Sequence, residues 1–240
     1  MKIKCTQENL SKGLSIVNKA VSAKVSLPIL GNILFDAKNG VLTLSSSNLE
    51  TSISTSFNAV VEEDGATSVP ARMFTEFVAN LPAGSLELFT EKNSIKLLCG
   101  ESSAKFACMS AEDFPAMPAV KKGVKVSLNN KEFGLAVVYS SFCAAVGDSR
   151  PALTGILLKK EGENLAVVAT DGYRLTEKNM ALSGDSADGA DFNLLVPAKT
   201  LGEAVRIFSS LGEDIGLTYS ESENLAVFDC GQTTVAIRIL

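Results

Sequence analysis

Hydrophobic and polar positions along this chain change period several times, and they do so twice in the same order. Apolar residues recur at helical spacing in ENLSKGLSIVNKAVS (8–22) and again in NKEFGLAVVYSSFCAAV (130–146), which predicts an amphipathic helix opening each half. Short apolar or alternating runs follow. They are PILGNILFDA (28–37), VLTLSS (41–46) and TSISTSF (51–57) in the first half, and ALTGILLKK (152–160), LAVVAT (165–170) and RLTEKNM (174–180) in the second. These read as strands, with Asn39-Gly40 and Glu161–Asn164 as the hairpin turns between them. A second helix then starts at a proline in each half, ARMFTEFVANL after Pro70 and AKTLGEAVRIFSSL after Pro197, with Gly84 and Gly212 close behind. Three strands close each half: SLELFT, SIKLLCG and AKFACMS, then IGLTYS, LAVFDCG and TVAIRIL.

Side by side, the halves match residue for residue as well as element for element. SLPILGNILF (26–35) meets SRPALTGILL (149–158) at an offset of 123. Leu42 and Leu44 meet Leu165 and Val167, and Ser47-Asn48 meets Thr170-Asp171, at the same offset. VPAR (69–72) meets VPAK (196–199) at 127, and Cys99-Gly100 meets Cys230-Gly231 at 131. Loop insertions account for a slowly growing offset whose order never breaks. The chain is an internal duplication with a period of a whole domain, too long for a solenoid repeat. Boundaries at 1–122 and 123–240 follow, joined by the Pro-rich stretch SAEDFPAMPAV. The fold class is α+β, dominated by antiparallel sheet, with two helices per half.

Composition narrows the chemistry. The chain has 240 residues, 46% of them hydrophobic and 20% charged, enough for two cores. There is no histidine, which removes Ser-His-Asp triads, Cys-His nucleophiles and HExxH zinc sites. No GxxxxGK[ST] or GxGxxG phosphate loop occurs. An enzyme is therefore disfavoured, and neither metal nor cofactor is expected. Five cysteines without a CxxC pair read as reduced thiols in a cytoplasmic protein. MKIKCTQENL turns polar at once, so no secretory signal is read, and no apolar run approaches membrane-spanning length. The net charge of −5 requires that any nucleic-acid surface collect its cations on one face.

Five stretches resemble the bacterial sliding clamp, the β subunit of DNA polymerase III. They are LPILGNIL, VPARMFTEFVANLP, SAEDFP, SRPALTGILL and, most specifically, VATDGYRL. The resemblance runs along the whole chain in order. It implies duplicated clamp domains with sheets outside and helices facing a central DNA hole. The family has three domains per chain, paired into a ring of six. Here two are seen, and Leu240 falls where the second connector would begin, so the expectation is a chain cut before a third. The implied role is a non-catalytic processivity factor. It would encircle double-stranded DNA without sequence specificity, self-associate into a ring (a homodimer in the three-domain family), and tether the replicative polymerase, the clamp loader and other clamp-binding proteins. A duplicated protein-interaction module without DNA encirclement is the rival.

The resemblance also implies sites. Lys24, Arg72, Gly147, Arg150, Pro151, Ala152 and Lys199 fall at or beside DNA-contact positions, Lys199 as the repeat partner of Arg72. Gly147, Pro151 and Ala152 stand where the family has side chains able to bond or stack. Leu153, Thr170, Gly172, Tyr173, Arg174 and Leu175 correspond to a pocket for a short hydrophobic peptide, with Tyr173 and Arg174 as anchors. Read without the resemblance, Asp171-Gly172 is a turn between strands. Phe106 and Cys108 fall on the strand that meets a neighbouring subunit, and Phe106 is equally readable as core.

Overall fold

The computed structural model describes residues 1–21, 27–120, 123–147, 149–182 and 190–240. The chain divides into two compact units, Met1–Met117 and Pro118–Leu240. Unit 1 runs β1 (Lys2–Thr6), α1 (Gln7–Val17), β2 (Asn32–Lys38), β3 (Val41–Ser47), β4 (Thr51–Asn58), β5 (Val60–Glu63), β6 (Gly65–Pro70), α2 (Ala71–Ala79), β7 (Ser85–Glu91), β8 (Ser94–Cys99) and β9 (Ser102–Ala107). Its strands form the orders β5-β1-β7-β8-β9 and β4-β3-β2-β6, with every pairing antiparallel. Unit 2 runs β10 (Val124–Leu128), α3 (Asn130–Ser141), β11 (Gly155–Glu161), β12 (Asn164–Thr170), β13 (Leu175–Ala181), β14 (Phe192–Pro197), α4 (Ala198–Phe208), β15 (Ile215–Ser220), β16 (Leu225–Cys230) and β17 (Thr233–Arg238). Its orders are β13-β12-β11-β14 and β10-β15-β16-β17, again antiparallel.

Local chemistry explains the boundaries. Asn39 (φ 53°) and Gly40 (φ 79°) both take positive φ, the two-residue turn that suits a right-twisted hairpin, and Lys38 pairs with Val41 across them. Thr6 caps α1 by accepting from the Asn9 amide at 3.2 Å, and Asn129 caps α3 through Glu132 at 3.1 Å. The first residue of each of these helices then ties down the partner helix. Gln7 Nε2 donates to the Val78 carbonyl near the end of α2 at 2.9 Å. Asn130 Nδ2, at the repeat-equivalent position, donates to the carbonyls of Phe208 (2.9 Å), at the end of α4, and Glu213 (2.8 Å). The Val78 and Phe208 carbonyls, at their helix ends, also accept from the Leu81 and Leu211 amides at 3.3 and 2.9 Å, so each side chain adds a second donor there.

Each unit has its own core. In unit 1, Leu10, Leu14, Phe35, Leu42, Leu44, Phe74, Leu86 and Leu88 are fully buried, and Phe35 meets Phe74 edge to face at 5.3 Å. In unit 2, Leu128, Phe133, Val137, Ile156, Leu158, Leu201, Phe208 and Phe228 are fully buried. The SAEDFP stretch is an anchored connector. Ser110 Oγ accepts from the Glu112 amide at 3.2 Å, a 3₁₀ turn spans Ala111–Asp113, and Phe114 packs on Ile29, Leu30 and Leu34.

Two expected elements differ. The helix read to 146 stops at Ser141, because the Ala145 amide is taken by the Leu153 carbonyl at 2.8 Å and cannot extend the helical ladder. The strand starts at Pro28 and Ala152 fall within 3₁₀ turns, Pro28–Gly31 and Pro151–Thr154, and pairing begins at Asn32 and Gly155. Among the described residues no helix is long and apolar enough to cross a membrane.

Candidate functional site

One turn recurs in both units, between β3 and β4 and between β12 and β13. In unit 1 the Ser47 hydroxyl accepts from the Leu49 amide (3.1 Å), and Asn48 Oδ1 accepts from the Glu50 and Thr51 amides (3.0 and 2.7 Å). In unit 2 the Thr170 hydroxyl accepts from the Gly172 amide (3.0 Å), and Asp171 Oδ1 accepts from the Tyr173 and Arg174 amides (2.9 and 2.8 Å). The third residue has positive φ in both, Leu49 at 76° and Gly172 at 91°. The turn is thus a property of the repeat, and glycine gives unit 2 the unstrained version of it.

Unit 2 adds side-chain chemistry to that frame. Asp171 Oδ2 accepts from both Arg174 Nε and Nη2 at 3.0 and 2.9 Å, two charge-assisted bonds that share one oxygen. Two backbone N–H groups and the guanidinium hold the Asp171 carboxyl down to about 2. The same guanidinium lies 4.7 Å from the centre of the Phe142 ring, just past the end of α3. Arg174 is therefore fixed from two sides, while Tyr173 (93% exposed) and Leu175 (65%) project into solvent. Leu153 is half-buried in its 3₁₀ turn. Arg150 adjoins the same turn: a Cβ added at Gly172 would lie 3.4 Å from Arg150 Nη1. In unit 1 the counterpart of Leu153 is Leu30, and it is covered by Phe114. The open version belongs to unit 2.

Five of the six pocket candidates, Thr170, Gly172, Tyr173, Arg174 and Leu175, lie on the turn and the strand ends that flank it, with Arg150 alongside; the sixth, Leu153, lies in the 3₁₀ turn that follows Arg150, its amide donating to the Arg150 carbonyl at 3.0 Å. Gly147 and Lys199 share a groove of about 440 Å³ with Thr154, Glu203 and Arg206. Pro151 and Ala152 are exposed on the 3₁₀ turn, where neither offers a polar side chain. Arg72 lies on α2 in unit 1, 88% exposed and paired with Glu76 at 3.0 Å. Lys24 lies outside the described residues. Phe106 points inward, 9% exposed and edge-on to Phe74 (4.9 Å) and Phe77 (5.6 Å), while its strand β9 remains an edge of the sheet. Cys108 is half-buried just after β9, its amide donating to the Asn93 carbonyl at 2.9 Å.

Sequence reading missed Asp171 as the clamp on Arg174, Phe142 as its platform, and Arg206. The spacing of Lys199, Glu203 and Arg206 (i, i+4, i+7) was the available signal for the last, because it places all three on one face of α4. The exposed face of α3 is apolar, with Leu135, Val138, Tyr139 and Phe142 each 47% exposed or more, so α4 carries more of unit 2's helical positive charge than α3, where Lys131 is the one cation. Among the described residues no cluster of His, Cys, Asp or Glu could hold a metal ion.

Comparison with known proteins places this geometry. The family model described as DNA polymerase III beta subunit, N-terminal domain, matches residues 1–118, and the central-domain model matches residues 127–240. The beta sliding clamp of Synechocystis sp. is 30% identical across the whole chain, which spans 66% of that relative, just under two thirds of its length. A crystal structure of a putative DNA polymerase III beta subunit from Eubacterium rectale matches with a TM-score of 0.92 at 28% identity, over all of this chain and 65% of that one. The DNA polymerase sliding clamp of Caulobacter crescentus matches with a TM-score of 0.91 at 26% identity, over all of this chain and 65% of its own. With both units matched in order and nearly end to end, the chain belongs to the DNA polymerase III beta subunit family, the bacterial sliding clamps.

Proposed function

We propose that this chain acts in the cytoplasm as part of a replication processivity clamp. Its helices ride on double-stranded DNA of any sequence, and its Thr170–Leu175 turn, with Leu153, takes a short hydrophobic segment of the replicative polymerase, the clamp loader or another clamp-binding protein. Nothing in this role is catalytic: the task is topological, with a ring built by self-association through sheet edges such as β9. The observation that carries the reading is the family match through both units. Support comes from Arg72, Lys199 and Arg206 on the second helices, and from an exposed aromatic and an exposed leucine on a rigid turn in unit 2. Sequence-independent contact needs only cations that meet phosphate, so a modest number suffices and an acidic chain can carry them.

The pocket is tested with a labelled short peptide bearing two large apolar side chains. Tyr173→Ala and Leu175→Ser remove side chains that are 93% and 65% exposed, so the unfolding midpoint should hold. Peptide affinity should fall roughly tenfold or more in each. Unchanged peptide binding in both variants would remove the pocket from this turn.

A further inference from the structure

The second helix of each unit carries a carboxylate at the same repeat position. Glu76 on α2 and Glu203 on α4 are related by the offset of 127 that also relates Pro70 to Pro197 and Arg72 to Lys199. Each is joined to an arginine on its own helix. Glu76 Oε1 accepts from Arg72 Nε at 3.0 Å, one turn upstream, and Glu203 Oε1 accepts from Arg206 Nη1 at 2.9 Å, one turn downstream. The two copies hold the carboxylate in common and take the guanidinium from opposite directions. What they share is an acid set among the cations, rather than one particular ion pair.

Helix stability does not explain the acid. All four side chains reach solvent, Arg72 at 88%, Glu76 at 64%, Arg206 at 73% and Glu203 at 34%. Exposed pairs of this kind contribute little. Glu76 also sits in the last turn of α2, where the helix dipole disfavours a negative charge.

We infer that Glu76 and Glu203 set how firmly the helices hold DNA, as the partners that a phosphate must displace from Arg72 and Arg206. The inference rests on the reading that these helices face DNA. When a phosphate takes the guanidinium, the released carboxylate is left unpaired beside a polyanion. The exchange is therefore close to balanced, and the contact is easily made and easily broken. With glutamine in its place, the same contact is a net gain of one neutralised phosphate, with release of a counterion. A surface that must move along a duplex gains from the balanced version.

The test is anisotropy of a labelled random-sequence duplex across a salt series from about 50 to 200 mM, the range over which phosphate contacts change most. E76Q/E203Q should bind roughly three- to tenfold tighter than the parent at the low-salt end, with a steeper fall as salt rises. E101Q/E221Q, which removes the same charge from exposed turns, should differ from the parent by less than about twofold. Equal affinities for the two glutamine pairs would overturn the inference. R72A/K199A/R206A separates that failure from failure of the DNA reading itself. If the parent binds no better than this triple variant, the helices do not face DNA and the inference falls with that reading. If the parent depends on these cations while E76Q/E203Q changes nothing, only the inference falls.

Discussion

Asn130 joins the two helices of unit 2, and removing its carboxamide should be felt well beyond one side chain. The NH₂ group donates to two carbonyls, Phe208 at 2.9 Å and Glu213 at 2.8 Å, and an acceptor pair of that kind fixes the amide orientation. Asn130→Ala leaves the Phe208 carbonyl its bond from the Leu211 amide (2.9 Å) and the Glu213 carbonyl its weak bond from the Cys230 thiol (3.4 Å), so what is lost is two hydrogen bonds and neither acceptor is left bare. At about 0.5–1.5 kcal/mol for each bond the cost is about 1–3 kcal/mol. For a chain of this size, each kcal/mol lowers the thermal midpoint by about 2–4 °C, so the shift is roughly 2–12 °C. Gln7→Ala breaks only the single 2.9 Å bond to Val78, and should cost about 1 kcal/mol. Urea unfolding followed by circular dichroism reads both. A loss below about 0.5 kcal/mol for Asn130→Ala, or one no larger than for Gln7→Ala, would refute the reasoning that this amide closes the end of α4.

Three further outcomes follow from the same geometry. The Asp171 carboxyl is held down to about 2, chiefly by the Arg174 and Tyr173 amides, so what it adds to stability is complete above the unfolded value near 4 and is lost only as pH falls towards about 2. The Tyr173 and Arg174 amide resonances should therefore stay put through pH 4, and a titration centred near 4 would contradict the clamp on the turn. Phe106→Ala should destabilise by about 3–5 kcal/mol because the ring lies in the Phe74–Phe77 cluster; a loss under about 1 kcal/mol would return Phe106 to a purely interfacial role. Burial pushes the Cys5 thiol up to about 12, so Cys5 should resist alkylation in the folded protein and react once urea is added, with half-buried Cys108 labelled earlier; early labelling of Cys5 would show that β1 opens.

Most of this architecture was visible in the residues because the chain states it twice. The Asn39-Gly40 hairpin, the two proline-started helices and the TDG turn follow from local chemistry, and each has a counterpart that checks it. Five strands carry no clear signal of their own, and a β-α-β-β-β order repeated within each half implies those before the helices from element order alone. KIKCT and VKVSL alternate over only five residues and run directly into a capped helix, so the helical period dominates any window that includes them. VVEE is four residues long, while GATSVP and FNLLVP end in Pro70 and Pro197, the prolines that signal the following helices. The pocket candidates come from the resemblance, five of them from VATDGYRL and Leu153 from SRPALTGILL. Arg174's partners were not legible, because Phe142 is 32 residues away in sequence and meets it only when α3 packs beside β13. The apolar face of α3 was hidden for a different reason: an amphipathic pattern shows that one face is buried, and says little about a second apolar stripe left in water.

The central claim is that the helices meet DNA through charge alone. The most direct measurement is the affinity of the chain for two unrelated duplexes of equal length across a salt series, alongside R72A/K199A/R206A. The account predicts equal affinity for both sequences and a linear fall of log K with log salt. It also predicts a shallower slope for the triple variant, by about 0.9 where Lys199 meets a phosphate and by less for Arg72 and Arg206, whose contacts are offset by Glu76 and Glu203. A marked preference for one sequence, or binding that ignores salt and survives the triple substitution, would contradict it.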